Sequence, residues 1–551
     1  MQTGLQSADY FVFLLYFLII TSYGIWIYRS KNQAAQSSKD FFLAEGSLTW
    51  WAIGASLIAS NISAEQFIGM SASGFALGLA ISSYEWMAAL TLVIVAIFFL
   101  PIYLKNRIST MPQFLARRYN EGVSLMMAIF WLFLYVFINL TSILYLGAIS
   151  LEKMTGLDFN ICSVMLATFA IFITLGGMKV IGYTDVIQVF FLILGGLATT
   201  YLALNLVSTK IGTGSGVWEG LSLIKSKAPD HFHMILDKGQ MMVHNGSGGM
   251  EDAYKQLPGL AVILGGMWIA NLSYWGCNQY ITQRALGASL PTARAGLLFA
   301  AFLKLLMPVI VVLPGIAAYV IYNGNADTNI VNGIVESGIV KPDNSYPILL
   351  NLLPVGLKGL AFAALTAAIV ASLAGKANSI STIFTLDIYN KYIQKNASEK
   401  QLIWTGRLTI IAAFVTSVTV CPTLKNFGKG FQYIQEFTGF ISPGIFAIFA
   451  LGFFWKKATS NGAYAAAITS ILLSWYCYAY VPTDVMPFLN RMGWVFLACV
   501  LIAVLVSILE KNKASENALE VDTAMFQTSR NFKVSASIIV FIVVSLYVYF
   551  W

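Results

Sequence analysis

A run of polar residues interrupts an otherwise apolar stretch near the start of the chain. The segment 59–66 reads Ala-Ser-Asn-Ile-Ser-Ala-Glu-Gln and lies inside the apolar range 48–75. Amide and carboxyl groups at membrane depth are costly unless they face a partner or a water-filled cavity, so they mark a substrate or ion pathway. The alternative is that the small polar residues only hold neighbouring helices together. The adjacent acid and amide, Glu65 and Gln66, favour a pathway.

A second polar interruption, 271–280, lies in the apolar range 258–283 and reads Asn-Leu-Ser-Tyr-Trp-Gly-Cys-Asn-Gln-Tyr. Ser and Asn side chains compete for backbone hydrogen bonds, and unwound backbone in a membrane is tolerated where it lines a site. The two interruptions fall five apolar segments apart. That spacing predicts two five-helix repeats of opposite orientation, each beginning with a discontinuous helix, with a binding site where the breaks meet.

The composition is that of an integral membrane protein. Of 551 residues, 58% are hydrophobic and 11% are charged, against roughly 25% charged residues in soluble domains. The net charge of +8 is dispersed in short clusters between apolar runs, which argues against a nucleic-acid partner. The five cysteines show no CxxC spacing and are interpreted as buried apolar residues.

Fourteen apolar segments are long enough to cross a bilayer. The loops richest in Lys and Arg alternate with poorer ones, so the positive-inside rule predicts a multi-pass cell-membrane protein with both termini extracytoplasmic. No signal peptide is evident. The predicted spans are 8–28, 48–75, 77–104, 123–151, 159–178, 183–207, 258–283, 296–322, 346–375, 404–424, 431–455, 461–480, 485–509 and 532–551.

The polar connections do not indicate a soluble catalytic domain. The predicted outer connection 208–257 contains all three histidines, which we expect to be solvated rather than metal-bound, and 510–531 is interpreted as an inner linker. The sequence contains no HExxH or GxSxG motif and no evident selectivity filter, so an intramembrane enzyme and a channel are both disfavoured. We therefore expect a secondary transporter with no obligatory protein partner.

Several longer stretches resemble the sodium/solute symporter family, most closely its sodium/galactose and sodium/glucose members. They are WWAIGASLIA at 50–59, FINLTS at 137–142, TDVIQ at 184–188, TLDIY at 385–389 and FQYIQE at 431–436. The resemblance implies an all-α, LeuT-like core of two inverted repeats, working by alternating access. The implied divisions are an extra helix and inner loop at 1–47, repeats at 48–207 and 258–455 around the outer connection 208–257, and three C-terminal helices at 456–551.

The same resemblance implies a sugar site. Sugar hydroxyls both donate and accept hydrogen bonds, so amides, acids and a flat apolar surface suit them. A serine typical of the family is replaced by Ala88, which predicts altered sugar preference. Glu85 and Lys304 have an alternative role as a buried ion pair that only joins helices. The implied sugar-binding residues are Gln66, Glu85, Asn271, Lys304 and Gln435.

Aromatic residues provide the implied gates. Tyr274 matches an inner gate that stacks on the sugar ring, with Asn139 as its expected hydrogen-bond partner. For Tyr84 and Trp275, core packing is an equally good interpretation. The implied gate residues are Tyr274, Asn139, Met70, Tyr84, Phe431 and Trp275.

The implied sodium site departs from the family pattern. One of two expected hydroxyl ligands is replaced by Ala371, and Lys376 lies one helical turn after Ser372. Lys376 either pairs with Asp185 on the ion path, or replaces sodium and makes transport sodium-independent or proton-linked, or extends to the membrane interface. We expect sodium-coupled hexose symport, with the first alternative for Lys376. The implied sodium-site positions are Ala59, Ile62, Ala368, Ala371 and Ser372.

Overall fold

The protein is almost entirely helical, with two short antiparallel hairpins outside the long helices. The computed structural model describes residues 5–30, 38–44, 48–244, 248–336, 338–427, 436, 438–510, 519 and 521–551. The first hairpin pairs Met242–His244 with Met250–Asp252, and the second pairs Val335–Glu336 with Ile339–Val340.

Each of the fourteen predicted spans overlaps helical structure. The helices of the first half, including 3-10 and π segments, are Ser7–Ser30, Ser38–Leu43, Trp50–Asn61, Glu65–Met70, Ser71–Leu77, Gly78–Ser82, Ser83–Ile94, Val95–Phe99, Leu100–Lys105, Met111–Arg118, Glu121–Phe133, Leu134–Leu140, Thr141–Thr155, Phe159–Thr174, Gly177–Ile211, Val217–Lys227, Pro229–Phe232 and Ala253–Lys255. Those of the second half are Leu260–Leu264, Gly266–Gly276, Gln279–Leu286, Leu290–Asn323, Thr328–Ile334, Pro342–Asn344, Ser345–Asn351, Leu357–Thr382, Ile383–Ile393, Glu399–Val420, Cys421–Phe427, Ser442–Phe454, Ser460–Tyr480, Phe488–Leu509, Thr523–Phe526 and Arg530–Tyr549.

Length and composition support a smaller number of spans than the sequence predicts. Within the described residues, nine helices are long and apolar enough to cross a membrane, or ten if one bent pair is counted as a single span. Phe159–Thr174 and Ser442–Phe454 are apolar but shorter. The number fourteen therefore stays a prediction, while the multi-span character is clear.

The first broken span has a non-helical junction where the polar run predicts one. The helix Trp50–Asn61 ends at Ile62, whose backbone is extended (φ −80°, ψ 116°), and a π-helix begins at Glu65. The Ser63 hydroxyl accepts a hydrogen bond from the Glu65 backbone at 3.1 Å. The Gln66 side-chain oxygen accepts bonds from the Ser63 backbone at 3.0 Å and from its hydroxyl at 3.2 Å. These bonds replace those that a continuous helix would make.

The second broken span is interrupted twice. A bend of 75° separates Ala253–Leu264 from Gly266–Gly276, and the helix stops again at Gly276 before resuming at Gln279. The second stop lies within the predicted interruption 271–280. Both polar runs therefore coincide with breaks in the helical backbone.

Glycines allow the helix Leu290–Asn323 to pack closely on the first broken span. A Cβ added at Gly315 would lie 2.0 Å from the Ser71 carbonyl oxygen. On the facing helix, a Cβ at Gly74 would lie 2.6 Å from the Val312 carbonyl oxygen. Since real Cβ atoms do not approach this closely, the crossing requires both glycines. This crossing also brings Lys304 to the first break.

The described part of the outer connection 208–257 packs against the helices. The expectation that all its histidines are solvated is wrong for one of them. His231 is 2% exposed, stacks on Tyr319 at 3.9 Å between ring centroids, and lies 3.0 Å from the Phe75 carbonyl oxygen. The apolar surroundings of Phe75 and Tyr319 make this a packing contact. Among the described residues, no group of three His, Cys, Asp or Glu side chains is suited to hold a metal.

Candidate functional site

A buried cationic group lies at the junction of the first broken span. The Lys304 ammonium pairs with the Glu85 carboxylate and donates to the side-chain oxygen of Asn61, the last residue before the break. The side chains of Lys304 and Glu85 are 1% and 4% exposed. Charged groups this deeply buried need partners. Lys304, Glu85 and Asn61 are hereafter the charged cluster.

Aromatic rings join the charged cluster to the second broken span. The Asn61 amide donates to the Tyr274 hydroxyl at 2.9 Å. Tyr274 lies 5.2 Å from Trp275 and 5.5 Å from Tyr280 between ring centroids. The Lys304 ammonium lies 5.2 Å from the centroid of Trp275, within the range of cation–π attraction. The two breaks therefore meet, as the spacing of the polar runs predicts.

The prediction that Asn139 is the hydrogen-bond partner of Tyr274 is wrong. The Asn139 amide donates to the Leu134 carbonyl oxygen at 3.2 Å, within its own π-helical segment. Asn61 is the partner instead, because it ends the helix Trp50–Asn61 beside Tyr274. Its position in the first polar run was the available signal.

A small cavity of about 70 Å³ lies beside these aromatic rings. Its lining includes Ser273, Tyr274, Asn278 and Tyr84. A second cavity, of about 170 Å³, extends toward the outer connection and is lined by Glu251 and Lys255 among others. Tyr84 and Phe488 line both cavities, so they form the boundary between them. Tyr84 thus occupies the position of the predicted outer gate.

Other predicted sugar-site residues use their polar groups locally. The Asn271 amide donates to the Met267 carbonyl oxygen of its own helix at 3.1 Å, and Gln66 bonds to Ser63. Ala88 is buried one turn after Glu85, and Met70 is buried in the π-helix of the first broken span. The predicted residues Gln435 and Phe431 lie outside the described residues.

The predicted sodium-site positions lie together, but an ammonium lies against them. The Ser372 hydroxyl donates to the Ser60 carbonyl oxygen at 3.0 Å and accepts from the Lys376 ammonium at 3.2 Å. The same ammonium lies 4.8 Å from the centroid of Tyr280. Lys376 is 2% exposed, so it does not extend to the membrane interface. The remaining positions, Ala59, Ile62, Ala368 and Ala371, are buried.

The expected pair between Lys376 and Asp185 is also wrong. Asp185 accepts a hydrogen bond from Ser56, and its carboxylate lies 3.9 Å from the Arg284 guanidinium. Arg284 donates to the Ser56 hydroxyl at 2.7 Å and is 1% exposed. In the sequence, Arg284 directly follows the predicted span 258–283. Its location eight residues after Gly276 was the signal that could have placed it near the second break.

The chain matches the sodium:solute symporter family over residues 41–470. It belongs to that family. It is 45% identical to the sodium/glucose cotransporter of Vibrio parahaemolyticus, covering 100% of this chain and 99% of the relative. It is 33% identical to human sodium/myo-inositol cotransporter 2, covering 86% of this chain and 70% of that protein, and 31% identical to sheep sodium/glucose cotransporter 1, covering 85% and 71%.

Solved structures confirm the LeuT-like fold of this symporter-family chain. A substrate-bound, outward-open Na⁺-coupled sialic acid symporter matches with a TM-score of 0.76 at 21% identity, covering 93% of this chain and 99% of that one. The inward-facing nucleobase-cation symporter Mhp1 matches with a TM-score of 0.51 at 13% identity, covering 88% and 96%. At these identities the likeness concerns the fold alone.

Proposed function

We propose that the protein is a sodium-coupled sugar symporter that works by alternating access. The observation that carries the proposal is the 45% identity with a sodium/glucose cotransporter over essentially the whole of both chains. The charged cluster between two broken spans supplies the polar surface that such a substrate needs. The protein is accordingly a transporter and not an enzyme.

The proposed substrate is a neutral hexose of the glucose or galactose type. The set Gln66, Glu85, Asn271, Lys304 and Gln435 offers amides, an acid and an ammonium to sugar hydroxyls. The Lys304 charge is already neutralised by Glu85 and the set contains no arginine, which disfavours an anionic substrate. Tyr274, held by Asn61, and Tyr84, between the two cavities, are suited to close the inner and outer sides of the site.

The proposed orientation places both termini outside the cell membrane. The distribution of Lys and Arg among short loops supports this orientation. The two broken spans support the division into repeats 48–207 and 258–455, preceded by 1–47 and followed by 456–551. The bilayer is the only other partner that this proposal requires.

The test of sugar symport is counterflow of labelled sugar in proteoliposomes, with a panel of unlabelled competitors. Glucose or galactose should support accumulation, whereas sialic acid, amino acids and carboxylates should compete poorly. Equilibration without accumulation would indicate a channel. Effective competition by an organic acid would contradict the hexose assignment.

A second candidate for the coupling ion follows from Lys376. The ammonium donates to the hydroxyl that is the one side-chain sodium ligand expected here. A sodium ion within about 6 Å of this ammonium would be disfavoured by roughly 3 kcal/mol at an effective dielectric constant near 20. Lys376 therefore competes with sodium, and transport is then sodium-independent or proton-linked.

Sugar uptake against sodium concentration separates the two candidates. Sodium coupling predicts that uptake by the natural protein rises with sodium and saturates. If the Lys376 ammonium replaces sodium, sugar uptake by the natural protein should not depend on the sodium concentration. Uptake by the Ala371→Ser, Lys376→Met double variant should then require sodium. Ala371→Ser alone is the matched control, because it restores the hydroxyl and keeps the ammonium.

A further inference from the structure

A large apolar groove lies on the lipid-facing side of the helices, away from the sugar site. Its volume is about 450 Å³, within the usual range of roughly 300–1,000 Å³ for small-molecule sites. The first helix contributes Ile20 and Gly24, and Glu399–Val420 contributes Trp404, Arg407 and Leu408. An open apolar groove of this size suits an acyl chain.

One charged side chain lies in this groove. Among the described residues that line it, Arg407 carries the only charge. Its Nε atom is buried and has no hydrogen-bond partner among the described residues, and its guanidinium lies 5.8 Å from the ring of Phe41. A buried N–H without a partner costs free energy. The guanidinium is suited to an oxygen anion, which supplies the missing acceptor.

Aromatic residues place Arg407 near the membrane–water interface. Trp404 and Trp26 are 61% and 60% exposed, and Trp404 lies one turn before Arg407. Tryptophan concentrates at the level of lipid headgroups. Arg29 lies in the last turn of the first helix, at the end proposed to be cytoplasmic. The charged end of the groove therefore reaches the headgroups of the inner leaflet.

We propose that the groove binds one anionic glycerophospholipid of the inner leaflet, with its phosphate on Arg407 and an acyl chain along Gly24 and Leu408. The proposal depends on the proposed orientation only for the choice of leaflet. A second lipid-facing groove, of about 310 Å³, has no charged residue among its described lining residues and therefore selects no headgroup.

The lipid is positioned to influence the inner half of the transporter. Thr184 lines the groove, and the next residue, Asp185, bonds to Ser56 and lies beside Arg284. The groove and this buried group are therefore adjacent on the helix Gly177–Ile211. Binding of the lipid stabilises the arrangement of helices that forms the groove.

The test is native mass spectrometry of the full protein, prepared with phosphatidylglycerol or phosphatidylethanolamine at equal concentration. The natural protein should retain one phosphatidylglycerol in preference to phosphatidylethanolamine. Arg407→Met should lower this retention about fivefold, as expected for one cation near a headgroup. Arg407→Lys should keep most of it, and Arg29→Met is the matched control for a nearby arginine outside the groove.

A second variant keeps the test decisive if Arg407→Met does not fold. Gly24→Leu fills the apolar part of the groove and leaves the arginine in place, since a Cβ at Gly24 meets only ordinary contacts near 3.5 Å. It should also lower retention. Equal retention of the two lipids, or an equal loss in Arg29→Met, would overturn the proposal. Displacement of the lipid by inorganic phosphate would identify an anion site instead.

Discussion

The charged cluster is placed to serve both stability and the proposed sugar binding. Lys304 and Glu85 neutralise each other where both side chains are buried, and Asn61 connects them to Tyr274, the proposed inner gate. Buried pairs of this kind are often no more stable than apolar residues of similar volume, but removing one member leaves an uncompensated charge. Stability and sugar binding can therefore be separated by substitution.

We expect Lys304→Met or Glu85→Gln alone to destabilise the protein by about 3–5 kcal/mol, because each leaves its partner without a counter-charge. The double variant should recover much of this loss. All three variants should lose sugar binding if the proposed site is correct. Thermal unfolding and labelled-sugar binding in detergent measure the two properties. Normal sugar uptake by the double variant would show that the pair only joins helices.

Lys376 changes the interpretation of the implied sodium site. Its ammonium donates to Ser372, which in turn donates to the Ser60 carbonyl oxygen at the first broken span. The Ser372 hydroxyl thereby links the helix Leu357–Thr382 to that span, and Lys376 supports this link from within the helix. A cation bound at the same place would have to displace the Lys376 ammonium or bind beside these two hydrogen bonds.

At the scale of the helices, the crossing of Leu290–Asn323 with the first broken span sets the position of Lys304. The approach is possible because glycines at 74 and 315 leave no side-chain atoms between the two backbones. Packing of this kind replaces the hydrophobic effect as the source of helix association within lipid. The position of Lys304 therefore depends on glycines that lie outside the charged cluster.

We expect Gly315→Ala to destabilise the protein by about 1–3 kcal/mol, because the added methyl group must displace the Ser71 carbonyl. Gly493→Ala is the control. A Cβ there has no neighbour within 4 Å, so the substitution should be neutral or stabilising by up to about 1 kcal/mol through helix propensity. Thermal unfolding of both variants in the same detergent provides the comparison. Equal melting temperatures would contradict the close crossing.

The outer connection is attached to the helices through a histidine that favours its neutral form. Burial lowers the pKa of His231 from 6.5 to about 4. Because the folded pKa lies below the unfolded one, the stabilisation is complete above about pH 6.5 and decreases as the pH falls toward 4. Each pKa unit corresponds to about 1.4 kcal/mol, so the loss is at most about 3.5 kcal/mol.

We therefore expect proteolysis of the connection 208–257 to accelerate between pH 7 and 5. His231→Phe should remove this pH dependence, since it keeps a ring against Tyr319 and cannot be protonated. His233→Phe is the control, because His233 is partly exposed and contacts the Trp551 carbonyl oxygen instead. Cleavage is followed by mass spectrometry in lipid nanodiscs. An unchanged pH dependence in His231→Phe would show that His231 does not cause the effect.

At the scale of the whole molecule, the burial of the five cysteines allows the orientation in the membrane to be tested by labelling introduced cysteines. All five are buried and free, so impermeant thiol reagents should label the natural protein weakly. Trp551 is 59% exposed and Lys457 is also exposed, in a loop predicted to be cytoplasmic. These two positions lie on opposite sides of the membrane in the proposed orientation.

We expect Trp551→Cys to react with an impermeant maleimide in intact cells. Lys457→Cys should react only after the membrane is opened, because the reagent cannot reach the cytoplasm. Gel-shift labelling with and without permeabilisation measures both. The reverse pattern would place both termini inside and would contradict the orientation.

The sequence alone determined the class of protein and the two breaks. Apolar runs and polar interruptions are local properties, so they predicted where helices would be discontinuous. The family resemblance extended this to a LeuT-like core. The ion pair of Glu85 and Lys304 was the alternative to their implied role in sugar binding, and the structure contains this pair. The sugar-site assignments as a whole stay predictions, and Gln435 and Phe431 lie outside the described residues.

Only the tertiary structure decided which polar groups face each other. Asn61, and not Asn139, donates a hydrogen bond to Tyr274. Arg284, and not Lys376, lies beside Asp185. His231 is buried. Each of these outcomes depends on how separate helices cross and rotate. Those geometries follow from close packing between distant segments, which local sequence patterns do not encode.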